Sequence, residues 1–165
     1  MAHTSFDSQR FRHALGTFTT GVTIITTVDA AGADVGMTAN SFNSVSLSPP
    51  LVLWSLGQSS TNFAAFLQAT HFAVHILAAD QAALATRFSQ RGIDRFAGLA
   101  RDRGPGGVAM LDGAAARFAC RTVFQHPGGD HIIFVGEVLE FEHWEREPLV
   151  LGRGQLGRVV PLLEG

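Results

Sequence analysis

From Val35 to Leu47 the chain keeps a period of two: Val35, Met37, Ala39, Val45 and Leu47 fall on odd positions, Thr38, Asn40, Ser44 and Ser46 on even ones. A helix brings together residues three and four apart, so this spacing requires extended chain with one apolar and one wet side. The preceding GVTIITTV, opened by Gly21, is dense in β-branched residues, and Asp29 to Asp34 (DAAGAD) supplies a turn between the two segments. A hairpin follows from that order. After Pro49 and Pro50, LVLWSL reads as a short strand apolar enough for burial on both faces, and HFAVHIL at 71–77 as another. The last third reads as a long hairpin. Phe118, Cys120, Thr122 and Phe124 share one face, residues 126–130 (HPGGD) turn, and HIIFVGEVLEFEHW returns.

Helical signals are few and short. Asp7 stands as N-cap between Phe6 and Phe11, which can form a hydrophobic staple, and the helix runs from about residue 7 to about residue 15. A second helix begins near Ser59 and Ser60 and packs through Phe63, Phe66 and Leu67. Asp80 caps a third, with Leu84 and Phe88 one turn apart. Residues 91–107, rich in Gly, Arg and Asp without periodicity, read as an exposed, mobile loop. Many short strands with few helices make the chain mainly β, a closed antiparallel architecture, and its 165 residues form a single domain over 1–165.

Charge and cysteine content narrow the function. All 12 basic residues are Arg, set against 14 acidic ones for a net charge of −2, which argues against a general nucleic-acid or anionic-membrane binder. Cys120 is the single cysteine, so an intramolecular disulfide and a CxxC site are excluded; its apolar neighbours mark it as core. The first residues lack the apolar region of a secretory signal, and no apolar run approaches a membrane span, which places the protein in the cytoplasm.

Gly152 to Gly157 spell a literal GxGxxG, but a dinucleotide site of that type needs a helix behind the glycines and an acidic residue about 20 positions on. Eight residues follow Gly157, Pro161 among them. His71 and His75 lack a third ligand at a suggestive spacing and read as ordinary sheet histidines, so no metal is expected. The hydroxyls and amides of Thr38 to Ser41, Ser44 to Ser48, Ser55 and Ser59 to Thr61 remain. They suit a groove that holds a phosphate without lysine, and equally a solvated sheet face.

FRHALGTFTTGVTIITT, VGMTANSFNSVSLSPPLVLWSL, the SST at 59–61, HFAVHILAADQ, RFS at 87–89 and GGDHIIFVGEV occur in one order over about residues 10–140. This ordered set resembles the flavin reductase-like family, the small NAD(P)H:flavin oxidoreductases that serve two-component flavin monooxygenases. The resemblance implies an FMN-binding split barrel, a six-stranded Greek-key barrel that pairs as a homodimer. It also implies FMN or FAD as flavin, NADH or NADPH as hydride donor, and a separate monooxygenase that receives reduced flavin. By position, Thr38, Ala39, Asn40 and Ser41 resemble the segment lining the isoalloxazine ring, and Ser55, Leu56, Ser59, Ser60 and Thr61 the second flavin segment. Arg87, Phe88 and Ser89 resemble a third contact, and His131 the histidine beside the nicotinamide. No residue is implied as acid or base. Where the family often carries an aromatic residue near the C-terminus, this chain has Leu156, which neither stacks nor donates a phenolic hydrogen bond. A flavin-binding electron-transfer barrel without NAD(P)H oxidation and a non-catalytic barrel module are the competing readings.

Overall fold

The computed structural model describes residues 6–162. Asp7 caps helix α1 (Ser8–Leu15), its carboxylate accepting from the Gln9 amide at 3.0 Å and the Arg10 amide at 2.9 Å. Phe6 meets Phe11 edge-on at 5.1 Å, the staple expected from the sequence. Strands β1 (Thr20–Gly21), β2 (Thr23–Val28) and β3 (Asp34–Ala39) follow, with the Asp29 carboxylate accepting from the Ala31 and Ala33 amides in the intervening turn. Then come β4 (Asn43–Leu47), β5 (Pro50–Gly57), α2 (Phe63–Gln68), β6 (His71–Ile76) and α3 (Ala82–Ser89). A ribbon of β7 (Arg101–Arg103) and β8 (Ala109–Leu111) precedes the long pair β9 (Ala116–Gly128) and β10 (His131–His143). Strands β11 (Leu149–Gly152) and β12 (Gln155–Arg158) close the described chain.

The main sheet has seven strands in the order β3-β2-β6-β9-β10-β5-β4, and every pairing is antiparallel. Its two edge strands, β3 and β4, are consecutive in the chain and separated only by Asn40, Ser41 and Phe42. That connection spans roughly 14 Å at full stretch, so the sheet must curl until its edges almost meet. The result is a split barrel. Ser41 secures the corner: its hydroxyl donates to the Ser55 carbonyl and accepts from the Ser55 amide, each at 3.0 Å. The segment read as one strand over 35–48 is therefore two, which turns the expected six strands into seven.

The interior explains the closure. Trp54 stacks on Phe134 at 4.9 Å and meets Phe66 edge-on at 4.8 Å, inside a cluster with Ile25, Leu56 and Phe72. Each such side chain contributes roughly 1.5–3 kcal/mol by leaving water. On β2, Thr23, Thr26 and Thr27 are buried, and each donates its hydroxyl to a carbonyl, of Ala39, Ala109 and His71 in turn. The threonines thereby tie three segments without leaving an unpaired polar group.

Several local expectations change. Strand β5 is not buried on both faces: Val52, Trp54 and Leu56 point inward, while Leu51, Leu53 and Ser55 are half-buried. Asp80 is not a helix cap. It lies in a single 3-10 turn before α3 and pairs with Arg146 at 2.5 Å, while Gln81 stands at the cap position. α2 starts at Phe63, a few residues after the serine pair. The hairpin turn shrinks from 126–130 to Gly129 and Asp130, because β9 keeps pairing through Gly128. Residues 91–107 are not a free loop: Phe96 is buried against Phe88, and Arg101 and Arg103 both bind the Asp34 carboxylate. As expected, Gly152 to Gly157 form no dinucleotide motif; they are the β11–β12 hairpin, turning through Arg153 and Gly154.

Candidate functional site

The end of β5, the turn after it, the middle of β3 and the end of α3 converge on a cleft of about 280 Å³. Met37 and Thr38 come from β3, Leu56 and Gly57 from β5, Ser59 to Asn62 from the turn, Phe88 and Ser89 from α3, and Arg91 and Arg95 from the segment behind it. Glycine at position 36 permits this convergence. A Cβ there would lie 2.8 Å from both the Phe88 and Phe96 rings, so only glycine lets α3 and the arginine-bearing segment sit against β3.

The electrostatics are one-sided, since no acidic residue lines the cleft. Arg95 is held in place, Nη1 donating to the Gly36 carbonyl at 2.6 Å and Nε to the Gln90 carbonyl at 2.8 Å. Burial, and then the neighbouring Arg91 charge, push its pKa down from the ordinary arginine value. Among the described residues the Arg91 side chain has no ion pair or hydrogen bond, and the hydroxyls of Ser59 and Thr61 have none either. Two guanidiniums beside free hydroxyls suit an anion such as a phosphate on this side, while Asp34 and Asp94 line the neighbouring cavity that Arg91 and Arg95 also reach.

The residues singled out from the sequence divide into three sets. Thr38, Leu56, Ser59, Ser60, Thr61, Phe88 and Ser89 meet at the cleft. Some are already occupied: the Thr38 hydroxyl donates to the Ala85 carbonyl at 2.6 Å, the Ser89 hydroxyl to the Thr86 carbonyl at 2.6 Å, and the Phe88 ring is core. Ser41 and Ser55 form the barrel corner, Ala39 accepts from Thr23, and Arg87 is spent on the carbonyls of Asp94 and Ala97 at 3.2 and 2.5 Å. Asn40 faces a different, larger cavity. His131 stands at the rim, its Nε2 within 3.5 Å of where a Gly57 Cβ would be and its Nδ1 2.7 Å from the Asp130 carboxylate. That contact, first of all, lowers the Asp130 pKa.

Sequence reading missed Gly57 and Asn62, and saw Arg91 and Arg95 only as members of an arginine-rich segment. The two arginines lie within a segment whose composition was the visible signal but whose packing was not. Cys120 is core as expected, while His75, read as an ordinary sheet histidine, is wholly buried; among the described residues no group of three or more potential ligands could hold a metal.

The sequence matches the flavin reductase like domain over residues 15–159. The chain belongs to the flavin reductase-like family. It is 49% identical over 152 residues to the FMN reductase (NADH) SmoA of Agrobacterium fabrum, covering 92% of this chain and 86% of that one. It is 40% identical over 162 residues to the flavin-dependent monooxygenase reductase subunit HsaB of Rhodococcus jostii, covering 98% and 83%. The NADH:FAD oxidoreductase of Streptomyces globisporus, solved with NAD and FAD fragments, superposes with a TM-score of 0.89 at 36% identity, covering 96% of each chain. Family, fold and reductase class expected from the resemblance are thus met.

Proposed function

We propose that this protein oxidises NADH or NADPH, reduces FMN or FAD, and seats the flavin phosphate between Arg91, Arg95, Ser59 and Thr61. The observation that carries the assignment is the pair of guanidiniums in a cleft with no acidic lining. A bound flavin would supply the hydride acceptor and a bound nicotinamide the hydride, so the redox chemistry would be the cofactors' own. The chain's own part is placement. The cleft leads from the arginines past Thr38 and Leu56 to Gly57, where a missing side chain leaves room beside the His131 ring. His131, tethered through Nδ1 to Asp130, presents Nε2 on the Gly57 side and orients the nicotinamide. No group has to take or give a proton in the hydride step.

Named relatives that are reductase subunits of monooxygenases support release of the reduced flavin to a separate oxygenase. The 15–159 span of the family match supports a single functional domain. Among the described residues no helix is long and apolar enough to cross a membrane, in keeping with a cytoplasmic setting. Exposed Leu47, Phe18 and Phe141 support a homodimer.

The test is oxidation of NADH and NADPH with FMN, FAD and riboflavin, comparing the wild type with Arg91→Gln. Saturable, flavin-dependent turnover is expected from the wild type, and its absence with every pair overturns the assignment. In Arg91→Gln the KM for FMN should rise about tenfold, roughly 1.4 kcal/mol of lost phosphate binding, while that for riboflavin stays within twofold. Equal losses with both flavins would remove the phosphate from this cleft.

A further inference from the structure

His71 and His75 stand four residues apart on β6, so the period of a strand puts both rings on one side of the sheet. That side carries the β7–β8 ribbon. Among the described residues β7 and β8 pair only with each other and join neither larger sheet, so side-chain links and the burial of β8 must fix the ribbon's position. His75 supplies one link: its Nε2 accepts from the Leu111 amide at 3.0 Å, while Nδ1 donates to the Ile24 carbonyl at 3.0 Å. Thr26 supplies a second, its hydroxyl donating to the Ala109 carbonyl at 2.7 Å. On the other strand of the ribbon, Asp34 binds Arg101 and Arg103. His71 lies under the ribbon's turn, where a Cβ on Gly106 would come within 2.5 Å of its ring.

The links continue to the phosphate cleft. Leu111 is the register partner of Arg101, and Arg101 Nη1 donates to the carbonyls of Phe96 and Leu99 at 3.2 and 3.1 Å. Beside Phe96 stands Arg95, which reaches the Gly36 carbonyl and lines the cleft together with Arg91. The other walls, Met37 and Thr38 of β3 and Leu56 and Gly57 of β5, stand on the main sheet and outside this series. We infer that His75 is a positioning residue for the flavin phosphate: its ring fixes the β7–β8 ribbon, and the ribbon fixes Arg91 and Arg95. This rests on the reading that seats the phosphate between those arginines. Without the imidazole the buried Leu111 amide loses its acceptor, and that end of the ribbon must shift to find another. The coupling is reciprocal, so a phosphate held by the arginines must in turn steady the ribbon.

The test compares binding of FMN and of riboflavin, which lacks the phosphate, to the full chain, followed by flavin fluorescence. His75→Leu should weaken FMN about fivefold and riboflavin less than about twofold. His75→Gln, whose amide can accept from Leu111 and donate to Ile24, should bring FMN affinity back to within about twofold of wild type. A ring that serves the core alone would make His75→Leu weaken both flavins equally, and that result would overturn the inference. So would an FMN affinity in His75→Leu equal to that of wild type. Should His75→Leu not fold, the wild type decides: saturating FMN should slow amide hydrogen exchange over residues 101–111 about fivefold, and saturating riboflavin should not. Equal protection by both flavins, or by neither, overturns the inference. Arg91→Gln separates this inference from the reading beneath it. If Arg91→Gln binds both flavins as wild type does, the phosphate lies elsewhere and that reading fails; if it loses FMN alone while His75→Leu loses neither flavin, only the role of His75 fails.

Discussion

His75 sits wholly inside β6, with Nδ1 3.0 Å from the Ile24 carbonyl and Nε2 3.0 Å from the Leu111 amide. A carbonyl can only accept and an amide only donate, so the ring must be neutral with its proton on Nδ1. Burial pushes its pKa down to about 4; the Ile24 bond opposes the shift and the Arg117 charge adds to it. Because the folded value lies below the unfolded 6.5, the unfolded chain takes up the proton first. The stabilisation is full above pH 6.5 and is lost as pH falls toward 4, by about 3 kcal/mol in all. Denaturant titrations at several pH values should show that fall in the wild type and a flatter slope in His75→Met, which is less stable at neutral pH. Parallel slopes would mean that the ring is not buried neutral. Asp34 is lowered too, but its contribution is lost only below the ordinary 3.8. The sequence identified His75 as a sheet histidine from its apolar neighbours, yet its two partners, 51 and 36 residues away, had no local signature.

At the scale of elements, the stretch over residues 91–107 shows where pattern reading stops. Its lack of periodicity suggested a free loop, but order here comes from side chains that bind backbone rather than from an apolar stripe. Arg101 gives Nε to Asp34 at 2.7 Å and Nη1 to the carbonyls of Phe96 and Leu99, and Arg103 holds both oxygens of the same carboxylate. Those two arginines lower the Asp34 pKa against its burial. The strands, by contrast, were legible because each half-buried face repeats every two residues, and the hairpins because glycine and aspartate mark their turns. The candidate site fell between these cases: the serine-rich turn was visible, while the arginines opposite it depended on Asp34 folding their segment back. Asp34→Ala should therefore free the segment, making Arg91, Arg95, Arg101 and Arg103 quick targets for trypsin while the β9–β10 hairpin stays protected. FMN affinity should fall several-fold at the same time, through loss of a fixed Arg95. Unchanged digestion would show that Phe96 alone anchors the segment.

For the whole molecule, the surface speaks to assembly. Large apolar side chains stand open on it: Leu47 is 96% exposed, Phe141 66% and Phe124 54%, and Phe141 continues a stacked row through Phe118 to Phe42. The half-buried outer side of β5, expected from composition to be fully buried, fits the same account, because a partner would supply the missing cover. Sedimentation equilibrium should then give about twice the 17.6 kDa chain mass. Leu47 provides the sharper test, since an almost fully exposed side chain contributes little to the fold of its own chain. Leu47→Asp should leave the secondary structure intact, shift the protein toward monomer, and make its melting temperature steeply dependent on concentration, as mass action requires of a weakened dimer. A wild type of single-chain mass would remove the homodimer, and an unshifted Leu47→Asp dimer would move the interface away from the β4–β5 turn.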